Sequence, residues 1–329
     1  MALMFEVTGF ARVVGEQATK VQDNRKVICV GETVVDILFR GDQPISATPG
    51  GSAFNSAISL GRTGIPTIFV GEAGDDRIAK HILRFMTDNG VNGSYVRSYP
   101  NQKSTVSLAY LDDHNEAEYS FYNMQPQQRQ PLLLPDIQAD DILLFGSFYA
   151  VNPSVHEALK QLVSLAQQKG AIIYYDVNIR AAHANMLQLM KPNIIDNFQN
   201  ADIVRGSRGD LRTVFDSDNA DSLYNARINK LCPRFINTGG AYPVKVFSGK
   251  KTFTYPVKPI QPVSTIGAGD NFNAGVAFAL IHYGITRSQL LKGLSDEQWQ
   301  KIIDVAQQFS QDCCIRLENY VGRDFKPVL

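Results

Sequence analysis

From position 27 onward, short apolar runs alternate with longer stretches in which apolar residues recur every three or four positions. Val27-Ile28-Cys29-Val30, closed by Gly31, has the length and composition of a buried strand. Residues 66–71, Ile142-Leu143-Leu144-Phe145, Ile172-Ile173-Tyr174-Tyr175, Ala201-Asp202-Ile203-Val204 and Phe235-Ile236-Asn237 repeat that signature. Between them the pattern predicts helices: a small-residue helix after Gly50-Gly51, then residues 75–89, 153–169, 185–200, 272–283 and 297–316. Gly90 and Gly170 close two of them, and Asn152-Pro153 opens another, as cap chemistry requires. Ala53, Ala57 and Leu60 lie on one face of the small-residue helix. Strands separated by helices pair in parallel through right-handed crossovers. The expected fold is α/β, a mostly parallel central sheet flanked by helices in a three-layer αβα arrangement.

One segment breaks the rhythm. Residues 104–110 and 118–122 alternate around a polar turn at 112–116, which predicts a β-hairpin. Inserted in such a fold, it is either a lid or dimer strand, or an edge ornament. The Gln/Pro-rich residues 125–135 read as irregular, and residues 244–247 and 252–255 as a β-pair. Residues 257–263 read as a β-leaning run into the 272–283 helix. Residues 1–26 form an N-terminal arm with no assigned role. Residues 27–329 form one domain, with lid strands inserted roughly at 37–48 and 104–123.

Composition narrows the class. Hydrophobic residues make up 44% and charged residues 19%, enough for a sizeable core. Thirty-two basic residues balance thirty-two acidic ones, which argues against nucleic acid or an anionic membrane as partner. The four cysteines form no Cys-x-x-Cys pair and the five histidines are scattered, so a zinc site is not expected. Residues 1–26 lack the apolar core of a signal peptide, and no run approaches membrane-spanning length. The expectation is a cytoplasmic protein acting on small molecules.

The polar residues with chemistry to offer sit after the predicted strands, where ligands bind in parallel sheets. They are Asp36, Asn55, Arg180, Ser207, Asp210, Thr238 and Asp270. Asp36 stands alone among apolar neighbours, so it either caps something local or faces a polar pocket. Asn55 follows Gly50-Gly51, where small residues serve either close packing or a backbone floor for a polyhydroxylated ligand. Gly267-Ala268-Gly269-Asp270 opens an apolar helix. Unshielded amides at a helix start attract an anion. Asp270 beside them is either the helix cap or a base that steers a hydroxyl towards a phosphoryl group.

Taken in order, Gly-Gly with Asn four residues on, Asp176-Val177-Asn178-Ile179-Arg180, and Gly267-Ala268-Gly269-Asp270-Asn271-Phe272-Asn273-Ala274-Gly275 resemble the ribokinase-like (PfkB) family of sugar kinases. The middle motif is most similar to the fructokinase and 2-keto-3-deoxygluconate kinase branch. The resemblance implies transfer of the γ-phosphoryl group of ATP to a sugar hydroxyl, with Mg2+. It makes Asp270 the base and Gly267, Ala268 and Gly269 the anion hole. Asp36, Gly50, Gly51 and Asn55 would hold the sugar, with Tyr110 and Phe121 from the lid and Arg180 beside them. Ser207, Thr238, Gly240, Gly267 and Gly269 would meet the nucleotide, and Asp210 the metal through water. It also implies a homodimer through the lid. No Walker lysine is present, so amides, Mg2+ and Arg180 must supply the positive field.

Four positions depart from the family pattern. Ser264 stands where an aspartate helps bind a monovalent cation, and Ser207-Arg208-Gly209-Asp210 replaces Asn-x-x-Glu. Pro243 follows the nucleotide turn in place of glycine. Phe121-Tyr122-Asn123 lacks the lid arginine that meets an acidic sugar. A pocket without that cation prefers a neutral sugar, fructose first. Arg129 or Arg180 would have to compensate in a kinase for 2-keto-3-deoxygluconate. A ribose or nucleoside kinase, or a non-catalytic sensor on the same fold, are the other readings.

Overall fold

The computed structural model describes residues 24–111, 117–122, 124, 126, 128–179 and 186–329. Thirteen strands there divide between two sheets. The larger contains β1 (Val27–Val30), β4 (Thr67–Gly74), β5 (Val91–Tyr99), β8 (Ile142–Gly146), β9 (Ile172–Asp176), β10 (Ile203–Ser207), β11 (Arg234–Gly239), β12 (Tyr242–Ser248) and β13 (Lys251–Tyr255). The smaller contains β2 (Val34–Arg40), β3 (Gln43–Gly50), β6 (Thr105–Leu111) and β7 (Ala117–Tyr122). The large sheet runs β13-β12-β11-β10-β9-β8-β1-β4-β5. It is parallel from β11 to β5, while β12 and β13 pair antiparallel, as the β-pair pattern predicts.

Strand alternation sorts the core into two halves. Val27, Cys29, Ile142, Leu144, Ile172 and Tyr174 point to one side; Ile28, Val30, Leu143, Phe145, Ile173 and Tyr175 point to the other. The first side packs on α1 (Ser52–Arg62), α2 (Arg77–Asp88), α9 (Ala268–His282), α10 (Arg287–Lys292) and α11 (Asp296–Cys314). The second packs on α3 (Ser147–Val151), α4 (Pro153–Lys169), α5 (Leu187–Asn200), α6 (Arg208–Phe215), α7 (Ala220–Leu223) and α8 (Asn229–Leu231). Three layers result, as the βα rhythm predicts. Both sheet faces are covered, which is why strand residues read as continuous apolar runs. Asn152 caps α4 by accepting the Ser154 N–H, and Gly170 ends it in the left-handed region.

The structure corrects three expectations. Residues 257–263 form no strand: Pro256, Pro259 and Pro262 remove ladder donors, and the segment is held to α11 by side chains. Gln307 Nε2 donates to Pro256 O at 3.0 Å and Gln311 Nε2 to Lys258 O at 3.3 Å. Helix α1 is buried all round from Ala53 to Leu60, not on one face, because α9 covers its other side. The small sheet is mixed rather than a plain hairpin insert. Its order is β3-β2-β6-β7, and β2 pairs with β6 in parallel. It rises from the ends of β1 and β5, and Thr33 and Thr105 share a cavity with Phe148 and Tyr149, just past the end of β8.

Candidate active site

The site forms around the start of α9. Gly267 precedes the helix with φ 80°, and a Cβ there would lie 2.6 Å from the Asn319 carbonyl. Only glycine meets both conditions. Ala268 begins the helix, so Asp270 falls in its first turn. The Ala268 N–H donates to Thr265 O at 3.2 Å and is turned away from the expected anion hole. The Gly269 and Asp270 amides lie where an α-helix offers no intrahelical acceptor, at the positive end of its dipole.

Asp270 is buried, 6% exposed, and set among donors. Ser52 Oγ donates to its Oδ1 at 2.7 Å and Asn55 Nδ2 to its Oδ2 at 2.8 Å. Asn178 Nδ2 reaches Ser52 Oγ at 2.9 Å and Asp270 Oδ1 at 3.4 Å. Ser56 Oγ donates to the Asp270 main-chain oxygen at 2.8 Å. The serines and asparagine of the otherwise apolar α1 are thus its seam with α9. Asn55 Oδ1 is buried without a hydrogen-bond partner.

The paired glycines at the end of β3 have separate tasks. A Cβ on Gly50 would lie 2.5 Å from Asp36 Oδ2, so this glycine admits the carboxylate. Gly51 starts α1 at φ 118°, and a Cβ there would strike the Glu32 carbonyl at 2.4 Å. Asp36 Oδ1 accepts the Ser107 hydroxyl, and Asn319 Nδ2 reaches Asp36 Oδ2 at 3.5 Å. Asn319 O accepts Asn271 Nδ2 at 2.9 Å, which ties Asp36 to α9. A notch of about 40 Å³ lies among Asp36, Thr48, Ala109, Ser264 and Asn319. A larger cavity of about 580 Å³ opens beneath the small sheet beside Thr33, Thr105, Glu72, Arg129 and Tyr149.

The lid residues separate by register. Asp36 pairs with Ser107 and Ser107 with Phe121, so Phe121 shares the inner face with Asp36. Tyr110 pairs with Phe39 and stacks on it at 4.9 Å, on the outer face. The period of two along β6 puts Tyr110 opposite Ser107, so it does not join the cleft. Arg180 lies outside the described residues.

On the far side of Asp270, Thr238, Gly240, Ala268 and Gly269 line a cavity of about 100 Å³ with Arg205 and with Gln307, Ser310 and Gln311 of α11. Arg205 Nη1 donates to Asp176 Oδ1 at 3.0 Å and Nη2 to Thr238 Oγ1 at 2.6 Å. Burial pushes the Asp176 carboxyl up to about 6 against the pull of Arg205, and the charges of Asp210 and Asp270 push the same way. Ser207 and Asp210 form the capping box of α6: Ser207 Oγ accepts the Asp210 N–H at 3.0 Å, and Asp210 Oδ2 accepts the Ser207 N–H at 2.6 Å. Asp210 Oδ1 accepts the Ile179 N–H at 2.8 Å. Among the described residues, no three His, Cys, Asp or Glu side chains gather as a metal cage.

The structure therefore joins Asp36, Gly50, Gly51 and Asn55 on one side of Asp270, and Thr238, Gly240 and Gly269 on the other, with Phe121 on the same sheet face as Asp36. Ser52, Arg205 and Asn319 enter the site without having been singled out in the sequence, and Asn178, part of the Asp176–Arg180 motif, enters it without having been given a role. Arg205 carried a readable sign, a lone cation inside the apolar strand Ile203–Ser207.

A family profile described as "pfkB family carbohydrate kinase" matches residues 24–310. A fructokinase of Rhizobium leguminosarum bv. trifolii is 28% identical over 261 residues, covering 77% of this chain and 79% of the relative. Probable fructokinase-6, chloroplastic, of Arabidopsis thaliana is 25% identical over 312 residues, 89% and 77% of the two chains. Among solved structures, a fructokinase double mutant of Vibrio cholerae O395 with fructose, ADP and a potassium ion bound superposes with a TM-score of 0.79. It is 19% identical over 90% of this chain and 94% of that one. An aminoimidazole riboside kinase of Salmonella enterica gives 0.76 at 20% identity, over 92% and 97%. At these identities the superpositions show the fold, which is ribokinase-like.

Proposed function

Because the chain belongs to the pfkB family of carbohydrate kinases, we propose that it transfers the γ-phosphoryl group of ATP to a hydroxymethyl group of a small neutral sugar, fructose first. The observation that carries this is the position of Asp270. It lies at a helix start between a polyhydroxyl-binding cleft, with Asp36 and the unpartnered Asn55 oxygen, and a cavity lined by Gly269 and Thr238.

In this reading the sugar hydroxyl hydrogen-bonds to Asp270. Ser52, Asn55 and Asn178 hold the carboxylate in one orientation, and Asp270 takes the hydroxyl proton as the oxygen attacks phosphorus. Phosphoryl transfer needs in-line placement and stabilisation of the equatorial oxygens more than covalent help. The Gly269 and Asp270 amides, aimed by the helix, meet that charge. Magnesium arrives as part of the MgATP substrate. Asp176 Oδ2 is buried without a partner, and each Asp210 oxygen accepts one amide, so both retain lone pairs for metal-bound water. Mg2+ brought in with ATP would keep most of its ligands as phosphate oxygens and water.

The cleft favours a neutral sugar. Arg129 pairs with Glu72, which is 6% exposed and also accepts the Tyr99 hydroxyl at 2.6 Å, so its charge is already matched. The four cysteines are buried and free, in keeping with a reducing cytoplasm. We also infer a homodimer through the outer face of the lid.

A coupled ADP-release assay across ketoses, aldoses, sugar acids and nucleosides tests the substrate. Fructose is expected to give the highest kcat/KM. A signal only with sugar acids refutes the neutral pocket, and none with MgATP on any acceptor refutes the kinase.

A further inference from the structure

Arg205 takes no part in the transfer as described, yet it is not complete as a structural ion pair. It is 7% exposed, its Nε has no partner, and neither does Asp176 Oδ2 across the pair. Buried polar atoms left unmet are costly and rare in finished cores. The guanidinium rests on Gly269: a Cβ there would lie 2.9 Å from each terminal nitrogen. That position opens on the cavity shared by Thr238, Gly240 and the first turn of α9. We propose that Arg205 is the phosphate-binding cation of this site, acting beside the α9 amides. The proposal rests on the kinase reading above.

A guanidinium is charged at every working pH, presents a rigid fork to phosphate oxygens, and acts strongly where water is excluded.

The test compares wild type, Arg205→Lys and Arg205→Met by calorimetry with ADP and by NMR titration with adenosine. Removing a charge-assisted contact should weaken ADP about thirtyfold in Arg205→Met, while adenosine binding stays within about twofold. Arg205→Lys, which keeps the charge against Asp176, should recover most of the ADP affinity. Equal loss of ADP and adenosine would reduce Arg205 to a structural role. Wild type binding neither ATP nor ADP would instead defeat the kinase reading itself; tight ADP binding by Arg205→Met defeats only the Arg205 assignment. Asp176, already raised in pKa by burial, can take up a proton when the guanidinium is removed, which limits the folding cost of the methionine variant.

Discussion

Asp270 is surrounded by groups that donate. Ser52, Asn55 and Asn178 all direct hydrogens at its carboxylate, and the helix dipole adds positive potential. A cap needs one such contact; a base that must present one lone pair to an alcohol needs the rest held still. Asp270→Asn puts an amide among those donors and removes the proton acceptor. We expect kcat to fall about a hundredfold or more, with ADP affinity changed less than about threefold. Steady-state kinetics and calorimetry on one preparation check it; near-normal turnover would leave Asp270 only a cap. Asp36, Asn55 and Asp270 were legible in the sequence because each stands next to a glycine turn or alone in an apolar run. Asn319 was not, since its contact with Asp36 spans 283 positions and it sits in a tail without periodicity. Tyr110 was misread because an aromatic residue in a lid strand says nothing about its face until register is known.

At the scale of elements, strand and helix order was readable because both sheet faces are buried and caps mark the helix ends. What sequence pattern could not supply is pairing between distant segments. β2 and β6 join in parallel, Asp36 opposite Ser107, across the whole of α1, β4, α2 and β5. That joint brings the Ser107 hydroxyl to Asp36 and makes the small sheet one body. The turn Gly50-Gly51 links that body to α1, and its two glycines are separable. Gly50 is not in the left-handed region, so alanine there is opposed only by the Asp36 carboxylate 2.5 Å from its Cβ. Gly50→Ala should displace Asp36 and raise the fructose KM about tenfold or more, the loss of a hydrogen bond to a charged group, while ADP affinity holds. Kinetics at saturating MgATP, with a melting curve as folding control, decide it. An unchanged KM would mean that Asp36 does not touch the sugar.

For the whole molecule, the two sheets differ in how they are finished. The large sheet is covered on both faces by helices, whereas the small one faces the cleft with one side and leaves the other bare. Tyr110 is 40% exposed and Tyr122, paired with Val106 on the same outer face, 64%. Ile45 on β3 is 46% exposed, and β3 and β7 are the edges of the small sheet. Bare aromatic surface beside unpaired strand edges favours association with another sheet. Two copies meeting lid to lid would cover both faces at once, since a two-fold contact uses the same patch on each chain. Sedimentation equilibrium at micromolar concentration should therefore give twice the chain mass. The pair Tyr110→Asp and Tyr122→Asp should give monomers, because each places a charge in the apolar contact. The monomers should bind ADP normally but lose about tenfold in kcat/KM for fructose, since Phe121 and Asp36 would then close the cleft from an unsupported sheet. Wild type sedimenting as a single chain would exclude the lid dimer while leaving the chemistry at Asp270 intact, because every group assigned to phosphoryl transfer comes from one chain.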